Sequence, residues 1–110
     1  VKLIKKGKNI AMLVDQKQND GISVPFFKKD SMTAPAIAHL AIKYDLPIVP
    51  VSIAREKGAS FTVEFFPALK IEDSDNIKEN IKTIMTQINI FLENAIRKNP
   101  SQWLWVHKRW

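Results

Sequence analysis

Residues 34–54 read APAIAHLAIKYDLPIVPVSIA, and the change of pattern inside them decides the fold class. Ile37, Leu40, Ala41 and Tyr44 recur at helical spacing, so Ala34 to Asp45 is predicted as a helix with one apolar face. Thr33 stands where a cap belongs, and Pro35 is tolerated in the first turn, where its missing N–H has no helical acceptor. Pro47 forbids continuation. Pro47 to Ala54 is then continuously apolar, as in a strand buried on both faces of a parallel sheet. Upstream, Asn9 to Asp15 (NIAMLVD) is another short β-prone run, and the two strands with their intervening helix make a strand–helix–strand unit.

Working outward, Lys2 to Lys8 read as the end of a preceding helix closed by Gly7. Gln16 to Thr33 read as a long connector with an apolar VPFF inside it, and connectors of that length in a compact domain commonly carry function. EKGA (Glu56 to Ala59) turns the chain into a third strand, Ser60 to Phe66. After the acidic EDSD, Asn76 and Glu79 have capping-box spacing at the start of the longest helix. Ile77, Ile81, Ile84, Ile88, Phe91, Leu92, Ala95 and Ile96 supply its core stripe, and Asn99 and Pro100 end it. The expectation is an α/β fold in which strand–helix–strand units form a mostly parallel sheet flanked by helices, within one domain over residues 1–110.

Seventeen Lys and Arg against eleven Asp and Glu leave a net charge of +6, with basic clusters at Lys2 to Lys8, Lys28 and Lys29, Arg97 and Lys98, and Lys108 and Arg109. An anionic partner is one reading and a solubilising surface the other. Absence of cysteine excludes disulfides, thiol nucleophiles and cysteine zinc sites, and no apolar run approaches the ~20 residues of a spanning helix. Glycine-rich phosphate loops and the GxSxG and HExxH motifs are missing too. Of the two histidines, His39 sits in HLAIKYD, where a histidine-four-residues-acid dyad would need its acid at Tyr44. Asp45 comes one residue too late, a slip of roughly 100° on a helix.

The tail, QWLWVHKRW, could be a core plug, a nucleic-acid platform or a headgroup clamp. Trp103 and Trp105 alternate as strand residues would, and tryptophan favours places where one edge is apolar and the other wet. His107, Lys108 and an exposed Arg109 would offer donors to phosphate oxygens. No RNA- or DNA-binding motif accompanies them, so nucleic acid is not an expected partner. For Asp15 the readings are turn chemistry or shaping of a site at a strand end, with Gln16 beside it. Phe26 and Phe27 could cover a sheet edge or line the apolar wall of a binding site.

The segments 12–41, 47–55 and 92–110 together resemble the C-terminal part of the late acyltransferases of lipid A biosynthesis, relatives of the glycerolipid acyltransferases. The last block carries most of the likeness, through Glu93, Ile96, Arg97, Pro100, Gln102, Trp103, Trp105, His107, Arg109 and Trp110. Asp15 and Gln16 match an acidic-Gln pair, Phe26 and Phe27 a double phenylalanine, Thr33 a helix-entry threonine and Pro50 a proline in the apolar strand. Lys28 departs from the glycine usual after the double phenylalanine.

The resemblance implies fatty acyl transfer from acyl carrier protein to a hydroxyl of a lipid A precursor at the cytoplasmic face of the inner membrane, without metal or cofactor. Asp15, Gln16, Phe26, Phe27, Thr33, Arg97, His107 and Arg109 would bind substrate or shape the site. It also implies that the catalytic dyad and a membrane helix lie upstream, so that these residues are a C-terminal portion, inactive alone. The start at Val1 fits that expectation. A basic module that binds anionic lipid or nucleic acid without catalysis is the alternative.

Overall fold

The computed structural model describes residues 4–71, 74–105 and 108–110. A 3-10 turn over Ile4–Lys6 ends at Gly7, whose φ of 68° suits a residue without a side chain. Then come β1 (Lys17–Phe26), β2 (Lys29–Thr33), α1 (Ala36–Tyr44), β3 (Val51–Arg55), β4 (Phe61–Phe65) and α2 (Ile77–Lys98), followed by a 3-10 turn at Pro100–Gln102. The strands form two separate two-stranded sheets, β1 with β2 and β3 with β4, both antiparallel. The expected mostly parallel sheet is therefore wrong, and so is the strand–helix–strand unit on which it rested.

The reason is local. β3 pairs with the next strand in sequence, Val51 opposite Phe65 and Arg55 opposite Phe61, because a short connection closes at less entropic cost than a crossover. Asn9 to Asp15, expected as a strand, has no ladder partner and runs irregularly, with Leu13 exposed and Val14 half-buried on the core. Gln16 to Thr33, expected as a connector, contains the β1–β2 hairpin instead. Nor is β3 buried on both faces: Val51, Ile53, Phe61, Val63 and Phe65 share an exposed apolar face, with Ile53 66% and Phe65 73% exposed. Gln102 holds the end of β3 like an extra rung, accepting from the Arg55 N–H at 2.8 Å and donating to its carbonyl at 2.9 Å.

Two features shape the hairpin. At its tip, Phe27 and Lys28 have φ of 50° and 63° between the paired Phe26 and Lys29. Positive φ at both central positions is the type I′ pattern, which fits strand twist but prefers Asn-Gly. At its open end, Lys17 and Ile22 both pair with Thr33, so residues 18–21 bulge out. Lys28→Gly should stabilise the fold by about 1 kcal/mol by removing a left-handed side chain. A rise of about 5 °C in thermal midpoint is the expected readout; a fall would mean that the Lys28 side chain contributes more than its backbone costs.

The helices follow the sequence more closely. α2 starts at Asn76, whose side-chain oxygen accepts from the N–H groups of Lys78 at 3.1 Å and Glu79 at 3.3 Å. The reciprocal half of the expected box is replaced, since the Asn76 N–H donates to Ser74 Oγ. Ile81, Ile84, Met85 and Ile88 are buried against Val24, Ala38, Ala41 and Ile48, whereas Ile77 is 60% exposed and outside the stripe. Asn89 is buried beside them and donates to the Pro25 carbonyl at 2.9 Å, tying α2 to β1. Pro35, not Thr33, is the N-cap of α1, and it makes no side-chain cap.

Candidate functional site

The tail folds back onto the hairpin, and Arg109 is the anchor. Expected exposed, it is 3% exposed. Its Nη1 donates to Ser31 Oγ and to the Met32 carbonyl at 2.8 Å, and its Nη2 donates to Thr33 Oγ1 at 3.0 Å. Ser31 Oγ donates in turn to the Arg109 carbonyl. These oxygens line up because β2 alternates, turning Ser31 and Thr33 to the buried side. Thr33 Oγ1 donates to the Ser31 carbonyl, which is why it is not free to cap α1.

The guanidinium stacks over the Phe26 ring, 5.0 Å from its centroid. Its Nε is buried without a partner among the described residues. Burial lowers its pKa from the ordinary arginine value, and attraction to the Asp15 carboxylate offsets part of that shift. Asp15 is half-buried and Gln16 exposed, so the acidic-Gln pair divides: the acid acts on the anchor and the amide faces outward.

The rest of the site is aromatic. Phe26, wholly buried, lies 4.9 Å from Phe27, 6.5 Å from Trp105 and 5.9 Å from Trp110. Trp110 stacks on Trp105 at 5.5 Å and donates from Nε1 to the Phe26 carbonyl at 3.1 Å. Trp103 meets Trp105 edge-on at 5.6 Å. Trp105 stays 50% exposed and its neighbour Leu104 79% exposed, so the cluster is a core on one side and an open apolar surface on the other.

Arg97 joins this group through the hairpin tip. It lies over the Phe27 ring at 4.8 Å and pairs with Glu93 at 2.9 Å, and Glu93 accepts the Phe27 N–H at 2.7 Å. The α2 carboxylate thus grips the left-handed turn while the arginine four residues on covers its ring. Glu93 and Ser31 have no expected role in the sequence reading. The spacing of Glu93 to Arg97 is a signal for the first; nothing in the sequence marks Ser31.

Of the expected site residues, Phe26, Phe27, Thr33, Arg97 and Arg109 converge here, Asp15 couples to them electrostatically, and Gln16 lines a neighbouring cleft. His107 lies outside the described residues. His39 is exposed on α1, and Asp45 stands beyond its end as the left-handed C-cap. Among the described residues no group of His, Cys, Asp or Glu could hold a metal ion, and no helix is long and apolar enough to cross a membrane. The arrangement offers an apolar aromatic wall edged by cations, suited to a ligand with both a hydrocarbon and an anionic part.

The family described as bacterial lipid A biosynthesis acyltransferase matches residues 1–110. No curated protein and no solved structure matches the chain.

Proposed function

The chain belongs to the bacterial lipid A biosynthesis acyltransferase family, and from that premise we propose that it serves a late step, transfer of a fatty acyl group from acyl carrier protein to a hydroxyl of a lipid A precursor. The acceptor oxygen attacks the thioester carbonyl, the C–O bond forms as the C–S bond breaks, and the hydroxyl proton leaves with the carrier thiol. The single observation that carries this reading is the family match over the whole chain. The aromatic surface of Phe27, Leu104 and Trp105 supports it as a wall for an acyl chain, and the +6 charge suits an acidic carrier and a phosphorylated acceptor.

In this reading Asp15, Thr33 and Arg109 shape the site by holding the tail on the hairpin, and Phe26, Phe27 and Arg97 form its apolar edge. The general base comes from residues other than His39, and the 110 residues by themselves are inactive. The exposed face of β3 and β4 supports a setting in which more of an acyltransferase covers it, at the cytoplasmic face of the inner membrane. The test is to give the full-length enzyme an acyl carrier protein thioester and a lipid A-type acceptor, and to follow the acceptor by mass. The expected product is heavier by one fatty acid less water. Hydrolysis without transfer, or binding without either, would overturn the proposal, as would turnover by residues 1–110 that His39→Ala abolishes.

A further inference from the structure

Asn89, Glu93 and Arg97 stand four residues apart on α2, so they follow one another along a single helix face, and all three meet the tip of the β1–β2 hairpin. Asn89 donates to the Pro25 carbonyl at 2.9 Å, Glu93 Oε1 accepts the Phe27 N–H at 2.7 Å, and the Arg97 guanidinium lies 4.8 Å from the centroid of the Phe27 ring. The second Glu93 oxygen pairs with Arg97 Nη2 at 2.9 Å. One carboxylate thus bridges the backbone of the turn and the cation over its ring. The Glu93 side chain is 14% exposed against 52% for Arg97, so water competes little for its bond to the turn.

What is braced is a costly conformation. Phe27 and Lys28 both have positive φ, 50° and 63°, in a two-residue turn that Asn-Gly would adopt with less strain. Residues held this way persist where their surroundings over-determine them, and such strain gathers at functional sites. The return here is the placement of a ring. Phe26 is wholly buried and fills the core, whereas Phe27 is half-buried, 4.9 Å from Phe26 and 6.2 Å from Trp105. Trp105 is itself 50% exposed, so the Phe27 ring sits where the buried aromatic cluster passes into its open face.

We infer that Glu93 is a positioning residue: by fixing the Phe27 ring in the aromatic wall, it lets that wall discriminate hydrocarbon chains by length. A ring free to swing would yield to an extra methylene. A fixed ring yields only by breaking the Glu93 bond or leaving the Arg97 guanidinium, so the misfit falls on the ligand. That the hydrocarbon belongs to an acyl donor rests on the proposed function; the bracing of Phe27 does not.

The test gives the full-length protein decanoyl, dodecanoyl, tetradecanoyl and hexadecanoyl thioesters of acyl carrier protein and compares kcat/KM along the series. Binding of the matching free fatty acids, read by tryptophan fluorescence, supplies a measure that needs no turnover. Glu93→Ala should lower the ratio between the best chain and the next longer one by about tenfold, since one methylene in a shaped apolar site discriminates by about 10–200-fold. Glu93→Gln keeps an acceptor for the Phe27 N–H and should hold the ratio within about twofold of wild type. Lys98→Gln, which removes a neighbouring cation that pairs with Glu64 instead, should leave it unchanged. If Glu93→Ala does not fold, the same substitution is read in the Lys28→Gly background, where one left-handed side chain is already gone. A Glu93→Ala protein that is slower on every chain but keeps the wild-type ratio would overturn the inference, as would Glu93→Gln losing the ratio as fully as Glu93→Ala. So would a wild type that binds the fatty acids without preference. Acyl transfer with unaltered ratios would sink the brace alone, and a fatty-acid preference that depends on Glu93 without any transfer would sink the proposed function alone.

Discussion

Arg109→Ala is expected to destabilise the fold by about 3–4 kcal/mol, which for a domain of this size lowers the thermal midpoint by roughly 15 °C. The substitution strands Ser31 Oγ, the Met32 carbonyl and Thr33 Oγ1 and uncovers the Phe26 ring. Each charge-assisted bond contributes about 1.5–3 kcal/mol, and relief of the buried charge's desolvation offsets part of the sum. Arg109→Lys should fall between the two, because one ammonium keeps the charge without the planar fork that reaches both hydroxyls. An arginine exposed to a headgroup would behave otherwise, changing lipid use and leaving the midpoint nearly still. Unfolding of the purified variants decides the matter. A midpoint within 2–3 °C of wild type, under about 1 kcal/mol, would rule out Arg109 as the anchor of the tail.

Gly21→Ala is the second large effect, about 3 kcal/mol, and its cause is steric. A Cβ at Gly21 would lie 2.3 Å from the Thr33 carbonyl oxygen, 2.8 Å from its carbon and 3.0 Å from the Gln18 carbonyl oxygen. All three are backbone atoms, so no rotamer relieves the clash and the bulge itself must open. Because Thr33 also receives Arg109, the damage should spread to the tail: Trp105 and Trp110 stack as a pair, and their fluorescence should shift before global unfolding. Gly58→Ala is the contrast, since its φ is positive, at 58°, while nothing lies within 4 Å of its Cβ; Gly21 has the clash without the positive φ. Gly58→Ala should lose only about 1 kcal/mol. A loss at Gly21 no larger than that at Gly58 would mean that the bulge relaxes away from the Thr33 contact at little cost.

Some of this molecule was legible residue by residue. The cap at Asn76, the isoleucine spacing of α2, the stop at Asn99 and Pro100, the helix before Pro47 and the strand after EKGA appear where the pattern puts them, and the strand before EKGA starts at Val51 rather than at Pro47. Helix hydrogen bonds and tight turns join residues a few positions apart, so their determinants sit in a short window. The resemblance carried by residues 92–110 was legible as well, and the family match agrees with it.

Direction of pairing was not, because a β-prone run takes whichever partner is reachable and its composition does not name one. Val51 to Arg55 found Phe61 to Phe65, and Asn9 to Asp15 found none. The fate of Arg109 was hidden for a related reason. In sequence it is one cation in a basic tail; in the fold its acceptors arrive from 76–78 residues away. Sequence by itself determined the helices, the local turns and the family, since each depends on short-range pattern or on residue identity. Tertiary structure alone decided which strands pair, that residues 18–21 bulge and that the tail's arginine is buried, because these depend on which distant groups can satisfy a ladder edge or a buried charge.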